Sequence, residues 1–406
     1  MKKFSIIVII LALLNTLESL SIDLYLPAFP SMAKIFNTDI GNIQVSISVF
    51  FAGFAIGQLF WGPLSDKKGR KPALYAGILI FIIAAFTIIF TTNYYVLWIM
   101  RFIQAFGGSA GIVVGRAIVA DLYDKEKAIK IFSSQSQISG IAPIVAPLLG
   151  SLFLNLWGWE SSFAFLTLLG ALTLMMTIGW IPETNKRPHS QNSVIEEHTL
   201  YIQIKNIFRN KDFVQNAIIG SIAFASLIIY ISGSPFLFME IHHFSTTAFS
   251  LIFALNSVAL IIAAYLTPKF LKRVNDRKLL FYAVSLLFIA CLTHTIAAFY
   301  HWNVVSEIIS LYLSIFSIGI LFPITTAGAL APFKEGKGIA AALFGFLQLM
   351  LTFLLSGAVS LLESDSAMPI TVARLSIALI ALYMGYLTSK EKKFTFRRAW
   401  QQIKSK

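Results

Sequence analysis

The chain has 406 residues, of which 57% are hydrophobic and only 13% charged, and its mean hydropathy is +0.76. This composition is far outside the range of soluble globular domains, so we expect an integral membrane protein. The net charge of +13 alone would suit a nucleic-acid partner.

Twelve apolar segments are long enough to cross the hydrocarbon layer, and we number them as spans 1 to 12. An even count predicts that both termini lie on the same side of the membrane. The predicted spans are 4–26, 45–61, 73–90, 96–114, 131–152, 162–180, 216–238, 248–266, 279–300, 304–323, 338–361 and 369–387.

The placement of the 32 Lys and Arg residues gives the orientation. Nearly all lie in the N-terminus, the even-numbered loops, the central linker and the tail, which basic residues mark as cytoplasmic. Only Lys34 lies in a loop assigned to the outside, while Arg101, Arg116 and Arg374 lie within or at the edge of apolar segments. This pattern predicts two cytoplasmic termini and removes the argument for nucleic acid.

The N-terminal apolar run could also be a cleaved secretory signal. It is long, contains Glu18 and Asp23, and leads into further spans, so we interpret it as a retained first span. The lone cysteine, Cys291, lies in an apolar segment and is expected to pack there, with neither a disulfide framework nor a cysteine-based metal site available.

Residues 62–74 read Gly-Pro-Leu-Ser-Asp-Lys-Lys-Gly-Arg-Lys-Pro-Ala-Leu and form a charged hairpin between two apolar spans. Gly62 would let helices approach, Gly69 permits a tight turn, Asp66 could lie at a helix N-terminus, and Arg70 can bond a carboxylate. Asp121, at the exit of span 4, is the candidate partner for Arg70. The pattern resembles the signature loop between helices 2 and 3 of the major facilitator superfamily.

Three further strings resemble the Bcr/CflA subfamily of drug:proton antiporters. They are 20–30 (Leu-Ser-Ile-Asp-Leu-Tyr-Leu-Pro-Ala-Phe-Pro), 115–123 and 230–240. Span 4 also has the Arg101 and Gln104 of a second family signature, with Ala105 where glycine is usual. Span 5 resembles the antiporter helix 5 motif, in spite of Ala146, through four residues: Gly140, Pro143, Pro147 and Gly150.

The resemblance implies an all-α fold of twelve transmembrane helices in two pseudo-symmetric six-helix bundles, working by alternating access. We expect bundles at 1–181 and 213–389, a cytoplasmic linker at 182–212 and a basic cytoplasmic tail at 390–406. Part of the linker, 200–208, could lie along the membrane surface as an amphipathic helix.

The function implied is proton-coupled efflux of small amphipathic drugs by a monomer in the bacterial inner membrane. Its partners would be the substrate, protons and lipid, and no cofactor is expected because no nucleotide-binding loop is present. One alternative is export of an endogenous metabolite such as a siderophore or peptide. Another is a non-transporting membrane receptor or assembly factor.

Two acids in span 1 are candidates for the coupling proton. Counting depth along the helices at about 1.5 Å per residue puts Glu18 level with Arg101, which predicts a pair that opens when Glu18 takes a proton. The resemblance instead implies Asp23, and both possibilities stay open.

Aromatic residues near the outer ends of spans 1 and 7 are candidates for the substrate path. The set is Tyr25, Tyr230, Phe236 and Phe238, together with Gln104. For Tyr25 and Phe238 the alternative is an interfacial aromatic belt. Asn256 and His294 are expected to make structural hydrogen bonds, and His189 and His198 to be solvated loop residues rather than metal ligands.

Overall fold

The chain folds almost entirely into α-helices in a computed structural model that describes residues 2–123, 125–185, 202–333, 337–362 and 366–390. Among these residues, eleven helices are long and apolar enough to cross a membrane, and a shorter apolar helical stretch at Ile141–Trp157 provides span 5. The predicted twelve-span, all-α membrane architecture is confirmed. The predicted tail, beyond residue 390, and about half of the linker, including His189 and His198, lie outside the described residues.

Spans 1 to 6 correspond to six long helices and one short one. A 3₁₀ turn (Leu26–Ala28) and the short helix α2 extend span 1 beyond the end of α1. The helices are α1 (Lys2–Asp23), α2 (Phe29–Ile35), α3 (Ile40–Lys68), α4 (Arg70–Ile89), α5 (Tyr94–Leu122), α6 (Lys125–Trp157) and α7 (Glu160–Trp180).

Spans 7 to 12 follow a short helix, α8 (202–209), which overlaps the segment predicted as amphipathic. Span 7 changes to π-helical geometry at Phe236–Ile241, directly after Pro235. The long helices are α9 (Lys211–Pro235), α10 (Thr246–Leu271), α11 (Asp276–Phe299), α12 (Val304–Leu330), α13 (Lys337–Ser360) and α14 (Met368–Lys390).

Short polar signals begin and end these helices. Asn93, Asn275 and Asn303 precede α5, α11 and α12, and each side-chain oxygen accepts a hydrogen bond from the backbone N–H two residues later. Between α3 and α4 only Gly69 is non-helical, and its φ of 101° is readily adopted by glycine. The charged stretch expected as a hairpin loop is therefore almost all helix.

The described residues form two compact units. The first comprises those of Met1–Asn192, Ile231–Leu255 and Phe353–Glu363; the second comprises those of Ser193–Tyr230, Asn256–Thr352 and Ser364–Lys406. The bundle boundaries expected from the sequence therefore stay a prediction. In the first unit α3 packs so closely on α5 that Cβ atoms added at Gly53 and Gly57 would clash with the backbone of Phe102 and Phe106.

Large apolar side chains also remain exposed along the outer faces of the helices. Examples are Ile83 at 56%, Met175 at 63% and Leu168 at 70% exposure. Apolar surface of this extent is typical of helices that face lipid.

Candidate functional site

A buried arginine is the centre of a polar cluster in the first unit. Arg101 of α5 is 0% exposed; its Nη2 donates to the carbonyl of Ser21 at 2.7 Å and its Nη1 to Oε1 of Gln104 at 2.7 Å. The spacing Arg101-x-x-Gln104 puts both side chains on one face of α5. Arg101 of span 4 therefore contacts span 1 at Ser21, and not at the level of Glu18 that the sequence predicts.

Three aromatic rings surround the Arg101 guanidinium. Its Cζ lies 4.3 Å from the ring centre of Phe50, 4.6 Å from that of Tyr25 and 5.9 Å from that of Phe163. Tyr25 is fully buried, and its hydroxyl bonds to Oγ of Ser46 at 2.8 Å. Ring faces attract the cation but do not neutralise it, so the positive charge of Arg101 can still act on other groups inside the bundle.

Asp23 is the last residue of α1 and lies two residues from Tyr25. Its side chain is only 4% exposed, its Oδ1 has no hydrogen-bond partner among the described residues, and no ion pair of the described residues involves it. A carboxylate buried in this way costs several kcal/mol, and binding a proton removes most of that cost. Asp23 therefore stays a candidate for the coupling proton.

Glu18 does not form the predicted ion pair with Arg101. The positive group that acts electrostatically on Glu18 is Arg116, which lies near the C-terminal end of α5. The depth count assumed that the first helix runs to Leu26, whereas α1 ends at Asp23 and is extended by a 3₁₀ turn and α2. Arg101 consequently meets Ser21, about one turn further along α1 than Glu18.

The helix 5 motif packs against this cluster. Gly150 of α6 lies so close to the carbonyl oxygen of Leu24 that a Cβ there would overlap it. The carbonyl of Pro147 accepts a hydrogen bond from Oγ of Ser250 at 2.8 Å, within the same unit. Gly140 and Pro143 lie in α6. The motif therefore positions α6 beside the residue that follows Asp23.

A second cluster surrounds Arg70 at the α3–α4 turn. Arg70 pairs through Nη1 with Oδ1 of Asp66, and through Nε with Oδ2 of Asp121 at 3.1 Å. Its Nη1 also donates to Oγ of Ser65 at 2.8 Å. The structure thus brings together the three charged residues predicted as a latch. Asp66 itself lies in the last turn of α3.

Residues after α7 complete the Arg70 cluster, and the sequence analysis missed them. Glu183 accepts hydrogen bonds from the backbone N–H groups of Arg70 and Lys71 at 2.9 and 3.0 Å, which are the first donors of α4. Thr184 donates to Asp121 at 2.7 Å, and Nδ2 of Asn185 donates to the carbonyl of Asp66 at 2.7 Å. The string Pro-Glu-Thr-Asn directly after span 6 was the available signal.

The Glu183 carboxyl has a pKa below its usual range. Partial burial opposes ionisation, but hydrogen bonds from the backbone N–H groups of Asn185, Arg70, Lys71 and Thr184 outweigh that effect and favour the anion. Glu183 therefore links the α4 N-terminus to the chain leaving α7 in its ionised form.

The two glycines of the predicted latch differ in role. Gly69 needs its positive φ, and a Cβ there would also press on Glu183. Gly62 has only an ordinary contact, because its Cβ would lie 3.5 Å from Cγ1 of Val113. The expectation that Gly62 permits close helix approach is wrong, since a Cβ at Gly53 or Gly57 would clash with α5 whereas a Cβ at Gly62 would not.

The aromatic residues predicted for the substrate path are mostly buried. Tyr25 and Phe238 are 0% exposed, so neither belongs to an interfacial belt. Phe238 stacks on Phe244, and Phe236 begins the π-helical segment and is half-buried. Their contact with substrate stays a prediction.

Tyr230 and the two predicted polar residues lie in the second unit. The Tyr230 hydroxyl accepts from Nδ2 of Asn256 at 2.6 Å, which confirms the expected hydrogen bonding of Asn256. His294 is 4.0 Å from a carboxylate oxygen of Glu307, and both are buried. These contacts join α9 to α10 and α11 to α12.

Comparison with known proteins places these clusters in a family context. The model of the Major Facilitator Superfamily matches residues 11–360. The MFS-type transporter YdgK of Bacillus subtilis is 30% identical over 94% of this chain and 95% of its own. The bicyclomycin resistance protein homolog of Haemophilus influenzae is 26% identical over 97% of this chain and 98% of its own.

A solved structure shows the same fold. The D-xylose-proton symporter superposes with a TM-score of 0.76 at 15% sequence identity, over 94% of this chain and 97% of the symporter. At that identity the likeness concerns the fold alone.

Proposed function

The chain belongs to the Major Facilitator Superfamily, and from this membership we propose that it exports small amphipathic compounds in exchange for protons. The relative named for bicyclomycin resistance supports a drug-like substrate. Export of an endogenous siderophore or peptide is the alternative, since the same fold and carboxyl groups would serve it.

The observation that carries the proposal is the burial of Asp23 without a counter-ion. A proton arriving from outside would neutralise it, and release of that proton on the other side would leave an anion that needs a cation. Arg101 is a buried cation among the described residues of this unit, and its Nε has no hydrogen-bond partner among them. We expect the ionised Asp23 to draw Arg101 away from the three rings.

That movement would couple protonation to helix packing. Arg101 bonds to the carbonyl of Ser21 in α1, so its displacement loosens the contact between α1 and α5. Gly150 transmits the change to α6 through its contact with Leu24. In this proposal the substrate competes with the proton by favouring the ionised arrangement.

The Arg70 cluster would act as the latch between conformational states. Asp66, Arg70 and Asp121 tie the ends of α3, α4 and α5, and Glu183 adds the segment after α7. The distribution of basic residues supports placing this latch and both termini on the cytoplasmic side. We further propose that the protein is a monomer in a bacterial inner membrane.

Two measurements test the proposal. In inside-out vesicles, uptake of a bicyclomycin-like or cationic dye substrate should require an imposed proton gradient and should stop in Asp23→Asn. Uptake that ignores the gradient would point to a different energy source, and no uptake of any compound from a broad screen would favour a receptor.

The carrier can be assigned in purified protein. Substrate-induced proton release in detergent should persist in Glu18→Gln and disappear in Asp23→Asn. The reverse result would identify Glu18 as the proton carrier.

A further inference from the structure

A second fully buried arginine lies in the second unit. Arg374 of α14 is 1% exposed; its Nε donates to Oγ of Ser226 at 3.2 Å and its Nη2 to Oγ of Ser314 at 2.7 Å. Its Cζ lies 5.8 Å from the ring centre of Tyr230. The arginine thus joins α14 to α9 and α12 in the interior of the bundle.

These partners leave the positive charge of Arg374 uncompensated. None of the ion pairs between described residues involves Arg374. Ser314 already donates its own proton to the carbonyl of Leu311 at 2.8 Å, so its hydroxyl supplies a lone pair and no charge. Burying a guanidinium without an anion costs free energy, and such a group is retained in membrane helices mainly where it has a function.

The N–H donors of the Nη1 group of Arg374 are not used by the two serines. Nη1 makes no hydrogen bond to any described residue, whereas Nε and Nη2 are fixed by the two serines. Guanidinium groups bind carboxylates and other planar or tetrahedral anions through adjacent N–H groups. The two serines and the Tyr230 ring would hold the plane of the guanidinium in position for this.

We propose that Arg374 binds an anionic group, supplied either by an acidic exported compound or by a free inorganic anion. The organic source depends on the proposed export function, but the binding itself does not depend on transport. If the source is organic, the exported compounds include amphipathic acids, with the acid on Arg374 and the apolar part near Tyr230.

The test uses Cys291 as an internal reporter. It is the only cysteine, is 1% exposed, and lies within electrostatic reach of Arg374. A thiol-reactive fluorescent dye should label it only as the bundle unfolds, which gives the melting temperature of the intact protein in detergent. Two matched probe pairs separate the sources: benzoate against neutral benzamide, and potassium chloride against neutral sucrose at equal osmolality.

We expect one anion of these pairs to raise the melting temperature by about 2 °C or more relative to its control. Arg374→Gln should abolish that difference, and Arg273→Gln, the same change at an exposed arginine, should keep it. A benzoate effect identifies an organic acid, and a chloride effect alone identifies a free anion; both support the site.

An anion effect that is equal in the parent and Arg374→Gln, or absent from the parent, overturns the proposal. Should Arg374→Gln fail to fold, Arg374→Lys and Ser314→Ala take its place. Each should weaken the anion affinity by about tenfold, because a lysine lacks the fork and the alanine releases Nη2. Unchanged affinity in both variants would likewise overturn the proposal. None of these measurements uses a proton gradient, so they stand apart from the test of antiport.

Discussion

Gly150 of α6 lies directly on the carbonyl oxygen of Leu24, the residue that follows Asp23. Only a residue without a Cβ fits there. The helix 5 motif and the acid of span 1, which are more than a hundred residues apart in sequence, therefore form one packing unit.

The first prediction follows from this contact. Gly150→Ala should force α6 away from α1, costing about 1–3 kcal/mol of stability and lowering export by about tenfold or more. Export in vesicles and the melting temperature measure the two effects. Gly179→Ala is the control, since a Cβ at Gly179 meets nothing within 4 Å. Normal export by Gly150→Ala would show that the contact is dispensable.

The second prediction concerns the geometry of Arg101. Arg101→Lys keeps the charge but cannot reach both Ser21 and Gln104, so export should fall by about tenfold or more. Arg116→Lys, at an exposed position of the same helix, should retain most of its activity. Equal activity of the two variants would mean that charge alone matters at Arg101.

The third prediction concerns Asp66. The Asp66 side chain in the pair with Arg70 is about half exposed, so Asp66→Asn should change stability by no more than about 1 kcal/mol. A latch, in contrast, requires a large loss of export with normal amounts of protein in the membrane. The two quantities are compared in the same preparation, with the exposed acid variant Asp39→Asn as control. Full export by Asp66→Asn excludes the latch.

The fourth prediction is a pH dependence at Glu183. Because the pKa of Glu183 is lowered in the fold, its stabilising effect is fully present above its ordinary pKa of about 4.5 and is lost as the pH falls through the lowered value. Amide exchange at Arg70 and Lys71, corrected for intrinsic rates, should increase over that acidic window. Glu183→Gln should exchange quickly at every pH, and a parent-like profile in that variant would contradict the assignment.

The sequence was sufficient for the helical layout and for the Arg70, Asp66 and Asp121 contacts. Apolar length determines a span, and fixed spacing around a turn determines which charges meet. The sequence was not sufficient to predict the contacts of Glu183, because the position of this residue depends on where the chain leaves α7. The depth count for Glu18 also failed, because α1 ends at Asp23 and a single helix length cannot describe the segment that follows.

The turn at Gly69 determines how α4 is rotated about its own axis. With one non-helical residue between α3 and α4, the direction in which α4 presents its side chains is fixed by α3. Leu74 and Ile78 are thereby buried with Val114 of α5. One inserted residue would rotate that face by about 100° and turn it towards lipid. The length of this junction is therefore as strictly determined as its charges.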